Sequence, residues 1–255
     1  MNRFLRGIYV LAFALFALTC AQAQNFKGFY VGGNVGGAFG RTNVQTSPIF
    51  SPTGYFASTS TPAITATSQQ EIRSTGFTGG GQAGYSGQWD NLVFGAEVDF
   101  GAMSVDGTTT ATATYPCCAP TAFTIAQRAR ASWLFTARPR LGLAFGKVLL
   151  YGTAGVAVTS VRYDALFTDT FATAHESASV EGTKTGWVVG GGSEIRVAQH
   201  WSVKGEYLYA RFGTASVAST NLTAFTPPIA FPTNVFTHTA DLSAHIVRGG
   251  VNYRF

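Results

Sequence analysis

Ionisable residues in this sequence recur in pairs separated by one residue, a spacing that points both side chains to the same face of a β-strand. The pairs are Glu97 with Asp99, Arg138 with Arg140, Glu194 with Arg196, and Lys204 with Glu206, and Arg248 and Arg254 follow near the end of the sequence. Two carboxylates on one face could work as an acid–base pair. Carboxylates that face guanidinium and ammonium groups could instead form a salt-bridge network.

Apolar residues occupy the alternate positions of the same segments. Around Glu97 and Asp99 these residues are Phe94, Ala96, Val98 and Phe100. An α-helix would scatter this set around its surface, but a strand places the apolar residues on one face and the charges on the other. The charges are therefore predicted to lie on the polar face of β-strands.

Eight segments show this period of two: residues 28–40, 76–88, 92–103, 132–145, 148–161, 185–197, 201–212 and 241–255. Three connections between them are short (89–91, 146–147 and 198–200), and they alternate with four long ones (41–75, 104–131, 162–184 and 213–240). Short turns at one end and long loops at the other are typical of transmembrane β-barrels. The sequence thus predicts an all-β fold, an eight-stranded antiparallel transmembrane barrel with short periplasmic turns and long extracellular loops. The long loops are expected either to be disordered or to extend the sheet outward.

The composition agrees with a barrel in lipid. Only 11% of the residues are charged, against about 25% in ordinary soluble proteins. Glycines within the strands are expected to face the lumen, at Gly32, Gly36, Gly80, Gly84, Gly95, Gly101, Gly142, Gly190, Gly192 and Gly250. Aromatic residues near the strand ends, among them Tyr30, Trp89, Tyr151 and Trp201, are expected to form interfacial girdles. The net charge of +5 is not gathered in a basic cluster, so no nucleic-acid partner is expected.

The first residues have the pattern of an export signal. Arg3 and Arg6 precede a short apolar stretch at 8–18, and Ala21-Gln22-Ala23 is a small-x-small cleavage site. The stretch is shorter than the roughly 20 residues of a transmembrane helix. Residues 1–23 are predicted to be a secretory signal peptide of the Sec pathway, and 24–255 the barrel domain. Lipid attachment at Cys20 is an alternative, but the residues before it fit a lipobox poorly.

The strands also resemble those of a known family. The stretches that carry the resemblance are FKGFYVGGNVGG at 26–37, LVFGAEVDF at 92–100, RPRLG at 138–142, WVVGGG at 187–192, WSVKGEYLY at 201–209 and VRGGVNYRF at 247–255. In this order and spacing they resemble the small outer-membrane barrels related to OmpA and the opacity proteins, above all the porin-family proteins of alphaproteobacteria. The resemblance covers essentially the whole chain after the export signal.

The resemblance implies a location and a set of partners. It places the protein in the cell outer membrane of a Gram-negative bacterium, in contact with membrane lipid and lipopolysaccharide. It also implies that periplasmic chaperones and the barrel-assembly machinery handle the chain during biogenesis. The terminal residues Val251, Tyr253 and Phe255 resemble the signal that this machinery reads. The assembly machinery can recognise an exposed strand when that strand pairs with the edge of a sheet.

The predicted lumen charges allow more than one interpretation. A salt-bridge network that plugs the barrel is the favoured one, and a narrow pore with slight anion preference is the alternative. Catalysis by Glu97 and Asp99 is disfavoured, because an eight-stranded lumen hardly admits a substrate. No enzyme activity and no cofactor are expected.

The histidines and cysteines add no catalytic or metal site to this interpretation. His175, His200, His238 and His245 are scattered and show no spacing typical of a catalytic triad or a metal centre. Cys117 and Cys118 are adjacent and are expected either to be exposed loop thiols or to form a vicinal bridge, in both cases without an essential role. The leading function is structural, namely envelope maintenance and display of surface loops. A passive pore for ions or small solutes and an adhesin acting through the loops are the alternatives.

Overall fold

The computed structural model describes residues 26–255, so the predicted signal peptide lies outside the described residues. The long strands are β1 (Gly28–Pro48), β2 (Gln70–Trp89), β3 (Leu92–Thr114), β4 (Ala122–Phe145), β5 (Val148–Asp169), β6 (His175–Arg196), β7 (Trp201–Phe212) and β11 (Phe236–Arg254). The shorter elements are helix α1 (Ser60–Ser68) and strands β8 (Ala215–Ser219), β9 (Thr223–Ala224) and β10 (Ile229–Ala230). Among residues 26–255 no helix combines the length and apolarity needed to cross a membrane.

The eight long strands close into an antiparallel ring. Each of β1 to β7 pairs with its neighbour in sequence, and β11 closes the ring by pairing with both β1 and β7. Strand β8 pairs with the first residues of β11, next to the part of β11 that pairs with β7, and thereby takes the place of β7 in the ring beyond Phe212. The predicted eight-stranded antiparallel barrel is confirmed. We call the end with the short connections the turn end and the opposite end the loop end.

Seven of the eight long strands are longer than the segments that the sequence pattern marked, and β7 has the predicted bounds. Strand β3 has 23 residues and β4 has 24, whereas a membrane-crossing strand needs about 10. The two pair from Leu92↔Leu143 to Thr114↔Ala122, with a register shift after Ala102. Strand therefore makes up most of the connections at 104–131 and 162–184 and at most half of those at 41–75 and 213–240, and it extends the sheet outward, which was one of the two alternatives. The parts that lie outside the eight long strands are 49–69, which includes α1, 115–121, 170–174 and 213–235, which includes β8, β9 and β10.

Pro139 lies inside β4, where it cannot donate a ladder hydrogen bond. It pairs with Ala96 on β3, while the pairs with β5 stop at Ala137 and resume at Arg140. The hydroxyl of Thr153 on β5 donates to the Pro139 carbonyl oxygen at 2.7 Å. The strand therefore continues through the proline with a side-chain hydrogen bond beside the gap.

An apolar belt surrounds the barrel near its turn end. The exposed large apolar side chains of the belt include Phe29, Val31, Val35, Phe39, Phe77, Tyr85, Trp89, Phe94, Val98, Phe100, Leu141, Val156, Trp187, Val189, Ile195, Trp201, Val203, Val247, Val251 and Phe255. Side chains of this kind on the outer wall are suited to contact with acyl chains. The outward and inward faces that the sequence predicted for these segments are those that the structure shows.

Two aromatic residues depart from the predicted girdles. Tyr30 and Tyr151 are only 1% and 6% exposed, because both point into the lumen. Their hydroxyl groups donate to Glu97 at 2.9 Å and to Glu206 at 3.1 Å. The girdle prediction was wrong for these two residues because it used their position along the strand and ignored their inward parity.

The strands reverse their polarity above the belt. Outward positions there carry charges of both signs, which form a collar around the barrel: Arg41, Glu71, Arg73, Asp106, Arg128, Arg130, Arg162, Asp164, Glu181, Arg211 and Asp241. Inward positions are apolar, and Ile72, Met103, Val105 and Leu242 belong to one buried cluster. Nearer the loop end, a second cluster packs Phe56 and Ile64 against Phe123, Phe167 and Phe236. Helix α1 and its preceding loop thereby fill the mouth of the barrel.

Glycines allow adjacent strands to approach on the inner side of this narrow wall. A Cβ on Gly36 would lie 2.0 Å from the carbonyl oxygen of Val247, and one on Gly80 would lie 2.2 Å from that of Phe100. Contacts this short would force the backbone to move. The close curvature of the barrel therefore requires glycine at such inward positions.

Candidate functional site

Nine of the ten predicted lumen residues are brought together in a buried charge network at the level of the apolar belt. The carboxylates are Glu97, Asp99, Glu194 and Glu206, and the cations are Arg138, Arg140, Lys204, Arg248 and Arg254. Every one of these residues is at most 5% exposed. Five cations thus face four carboxylates, which leaves a net charge of +1.

Glu97 on β3 lies at the centre of the network. Its Oε1 accepts hydrogen bonds from Arg138 and from Lys204, both at 2.8 Å. Its Oε2 accepts from Lys204 at 3.0 Å, from the Tyr30 hydroxyl at 2.9 Å and from Arg140 at 3.3 Å. The donors come from β1, β4 and β7, so this carboxylate joins strands on opposite sides of the barrel.

Asp99 and Glu206 hold the two guanidinium groups that cross the lumen above Glu97. Arg248 donates to both oxygens of Asp99, at 3.0 and 2.9 Å, and to Glu206 Oε2 at 2.9 Å. Arg138 donates to Asp99 at 2.9 Å and to Glu206 Oε1 at 3.1 Å. Arg248 thus bridges two carboxylates and Arg138, which also donates to Glu97, bridges three, an arrangement that matches the fork geometry of guanidinium.

Glu194 anchors the network near the turn end. It accepts from Arg140 at 2.8 Å, from the Ser202 hydroxyl at 2.6 Å and from Arg254 at 3.2 Å. The guanidinium of Arg140 also lies 3.9 Å from the ring centroid of Tyr151. Such a cation–π contact stabilises a cation that has been removed from water.

Arg196 is the predicted residue that lies apart from these nine. It is half-buried at the turn that follows β6, where its guanidinium donates to the carbonyl oxygen of Gln199. Its parity along the strand is inward, as predicted, but the lumen ends at this level.

Polar neighbours complete the network, and the sequence interpretation did not assign them to it. Asn34, Gln82 and Asn252 form a hydrogen-bonded row, with 3.1 Å between Asn34 and Gln82 and 2.5 Å between Gln82 and Asn252. Thr136 donates to Asp99 at 2.5 Å. All four are polar residues at inward parity in strands whose outward positions are apolar or small, and this signal could have identified them.

The arrangement leaves the carboxylates little capacity for acid–base chemistry. Both oxygens of Glu97 and Asp99 already accept from protein donors, and neither side chain is open to solvent. A general base must reach the proton that it abstracts. Within residues 26–255, no group of three or more His, Cys, Asp or Glu residues is placed to hold a metal ion.

A second buried polar group lies in the upper lumen and joins residues distant in sequence. His238 Nε2 lies 3.2 Å from Glu176 Oε1, and His238 Nδ1 lies 2.8 Å from the Thr46 hydroxyl. Glu176 and His238 are both fully buried. The spacing of the histidines along the sequence gave no sign of this pair, because it forms only when the closed ring brings β6 and β11 close together, with one strand position between them.

The terminal residues and the cysteines occupy opposite ends of the molecule. Val251 and Phe255 face outward with 45% and 74% of their surface exposed, and the Tyr253 ring contacts those of Trp201 and Phe255. Their role in assembly stays a prediction. At the loop end, Cys117 and Cys118 are joined in a vicinal disulfide, so the bridged form of the two alternatives is the one present.

Sequence comparison identifies relatives of the whole barrel. Residues 8–255 match the family described as outer membrane protein beta-barrel domain. The 31 kDa outer-membrane immunogenic protein of Brucella melitensis is 32% identical over 187 residues, which cover 72% of this chain and 69% of the relative. The protein of the same name from Brucella suis matches with the same identity and coverage.

Solved structures of outer-membrane proteins are similar at low identity. OprG from Pseudomonas aeruginosa is 9% identical with a TM-score of 0.45, and the match covers 92% of this chain and all of OprG. Ail, the attachment invasion locus protein of Yersinia pestis, is 12% identical with a TM-score of 0.34, over 89% of this chain and all of Ail. The protease OmpT from Escherichia coli is 10% identical with a TM-score of 0.40, over 89% of this chain and 97% of OmpT.

Proposed function

Because this chain belongs to the outer membrane protein beta-barrel domain family and is an outer-membrane protein, we propose that it acts as a closed structural barrel. In this role it does not conduct solutes, and it displays a rigid β-structure outside the cell. Its contribution to the envelope is mechanical and interfacial, with the loop end as the extracellular surface.

The observation that carries this proposal is the filling of the lumen in two successive layers. The belt level is crossed by fully buried ion pairs, such as Arg138 with Glu97 at 2.8 Å. The level above is filled by the apolar cluster that contains Met103 and Ile72. A hydrated ion would have to break the first layer and then pass through the second, and both steps are costly.

Conductance in planar lipid bilayers tests the closed barrel against the passive pore. We expect the purified, refolded protein to insert without producing current above that of the lipid alone. A general porin added under the same conditions serves as the positive control. Steady ohmic steps would overturn the closed barrel, and a shift of their ion selectivity in Glu97→Gln would assign the current to this lumen.

We also propose that the protein has no catalytic role. The saturated hydrogen bonding of the lumen carboxylates and the tight packing of charged side chains around them support this. The proposal would be contradicted if wild type hydrolysed a peptide or ester substrate and Glu97→Gln did not.

Lipopolysaccharide is the proposed partner of the charged collar. The arginines Arg41, Arg73, Arg128, Arg130, Arg162 and Arg211 surround the barrel just above the belt, where the phosphates of an outer leaflet would lie. Guanidinium groups bind phosphate through paired hydrogen bonds. Replacing Arg41 and Arg73 by Gln should lower the amount of lipopolysaccharide that copurifies with the barrel, and an unchanged amount would contradict this role.

The barrel-assembly machinery and periplasmic chaperones are the proposed partners during biogenesis. The exposed C-terminal Phe255 supports this, because an assembly factor could reach it on the outer face of β11. Phe255→Ser should reduce the amount of heat-modifiable protein in the outer membrane. Leu150→Ser, which changes another exposed belt residue, provides the matched control.

A further inference from the structure

The loop end of the barrel carries an exposed apolar surface without charge. The connections at 49–69, 115–121, 170–174 and 220–235 contain no Asp, Glu, Lys, Arg or His. Phe50, Phe171, Phe225 and Ile229 in these connections are each more than 40% exposed. Exposed apolar groups gathered at one place on a protein surface mark sites of interaction.

A cleft opens to solvent within this surface. It has a volume of about 160 Å³ and is lined by Tyr55, Phe56, Ala57, Ser60, Tyr115, Phe171 and the Cys117–Cys118 disulfide. Apolar cavities of about 150 Å³ are large enough to hold a benzene ring. The size and the lining of the cleft therefore suit one six-membered ring.

Hydrogen bonds from three separate connections to Asp169 fix the walls of the cleft. Asp169 Oδ2 accepts from the hydroxyl groups of Tyr55 at 2.6 Å and Tyr115 at 3.0 Å. Its Oδ1 accepts from the backbone N–H groups of Ala172 and Ala174 at 3.3 and 2.9 Å. The cleft is thus formed before any ligand arrives, which reduces the ordering cost of binding.

A fourth connection is attached to this arrangement by Asn234. Its side chain accepts from the Tyr55 N–H at 2.6 Å and donates to the carbonyl oxygen of Ile49 at 3.3 Å. Gly54 permits this approach, because a Cβ there would lie 2.5 Å from the Asn234 side chain. The aromatic rim around Tyr55 is fixed as well, with ring centroids 6.2 Å away in Phe171 and 5.3 Å away in Phe231.

The chemistry of the lining selects an uncharged ligand. Burial raises the pKa of both phenols, Tyr55 and Tyr115, above their usual range, so both remain neutral donors to Asp169. The hydroxyl groups of both tyrosines already donate to Asp169. The surfaces that remain for a ligand are the aromatic ring faces and the sulfur atoms of the disulfide. A charged group would lose its hydration here without gaining a partner.

We propose that this cleft binds an uncharged aromatic side chain presented by a polypeptide partner outside the cell. A polypeptide fits better than a free ring, because its residues on either side would cover the exposed Phe171 and Phe225 at the rim. An anchoring side chain in a pocket, surrounded by apolar contacts, is a common organisation of protein interfaces. The proposal rests on the extracellular display proposed above, but it does not depend on whether the lumen conducts.

Peptide binding to the full barrel in lipid nanodiscs tests the proposal. The probes are acetyl-Gly-Ser-Phe-Ser-Gly-amide, the same peptide with Ala in place of Phe, and benzyl alcohol, each followed by saturation-transfer NMR. We expect saturable binding of the Phe peptide, with about tenfold weaker binding of the Ala peptide. Benzyl alcohol should also bind more weakly than the Phe peptide.

Two single substitutions on one loop provide the matched comparison. Ala57→Phe places a ring in the cleft and should weaken binding of the Phe peptide by about tenfold. Ser58→Phe adds the same ring at the next exposed position, outside the lining, and should bind like wild type. Heat-modifiable gel migration checks that both variants are folded.

Several results would overturn the proposal. The first is that the Phe peptide shows no saturable binding to wild type, and the second is that it binds Ala57→Phe as tightly as wild type. The third is a signal equal to that of protein-free nanodiscs, which would mean that the peptide enters the lipid. Benzyl alcohol binding as tightly as the Phe peptide would overturn the assignment to a polypeptide. If the barrel conducted ions and still bound the Phe peptide, the closed-lumen proposal would fail and the cleft proposal would stand.

Discussion

The lumen inside the apolar belt and the lumen above it are built in opposite ways, although the same strands form both. Along β3, Val98 and Phe100 face outward in the belt while Glu97 and Asp99 face inward. A few residues further along, Asp106 faces outward while Met103 and Val105 face inward. The outer wall changes from apolar to charged as the interior changes from charged to apolar.

The solvent outside the wall therefore decides which face of a strand carries the charges. Lipid cannot solvate an ion, so at belt level charges are tolerated only where they are paired inside. Water surrounds the strands above the belt, and there apolar side chains are stabilised by packing inside, as in a soluble protein.

The largest effect is expected when a cation is removed from the buried network. Arg138→Met leaves Glu97, Asp99 and Glu206 short of a hydrogen-bonding cation and should lower the free energy of unfolding by about 3–5 kcal/mol. Arg130→Met on the same strand removes a half-exposed pair with Asp164 at 3.4 Å and should cost less than about 1 kcal/mol. Urea titration of both variants in lipid vesicles measures the difference, and equal shifts would contradict the contrast.

A smaller effect is expected from placing a charge on the outer wall. Val98→Arg puts a guanidinium against acyl chains and should destabilise the inserted barrel by about 2–4 kcal/mol. Thr108→Arg changes the same face of β3 above the belt, where water solvates the new charge, and should be tolerated. Heat-modifiable migration after refolding into vesicles compares the two, and equal tolerance would refute the assigned position of the belt.

The smallest effect is expected from deleting one methyl group in each half. Ile72→Val removes it from the packed interior above the belt and should cost about 0.5–1.5 kcal/mol. Ile195→Val removes it from an outward belt residue that is 46% exposed, where mobile lipid can fill the space. Its unfolding free energy should therefore change less, and a larger loss at Ile195 than at Ile72 would contradict the packed upper lumen.

The belt half of each strand could be predicted because its pattern is local. Alternation of Val98 and Phe100 with Glu97 and Asp99 fixes both the strand and its facing from neighbouring residues alone. The upper part of every long strand except β7 was not marked, because its outward residues mix charges with Thr and Ser and its inward residues are often Ala. This weak contrast also has the reverse polarity, so a search for lumen charges ends at the edge of the belt.

From the sequence alone follow the number of belt strands, their faces and the nine charged residues that meet in the lumen at belt level. Tertiary structure alone decided that Arg138 meets Glu97 and Glu206, that His238 meets Glu176, and that four connections enclose one cleft at the loop end. The physical reason is that facing depends on a period of two along one strand. Partners across the lumen depend on the closure and stagger of the whole ring, to which distant strands contribute equally.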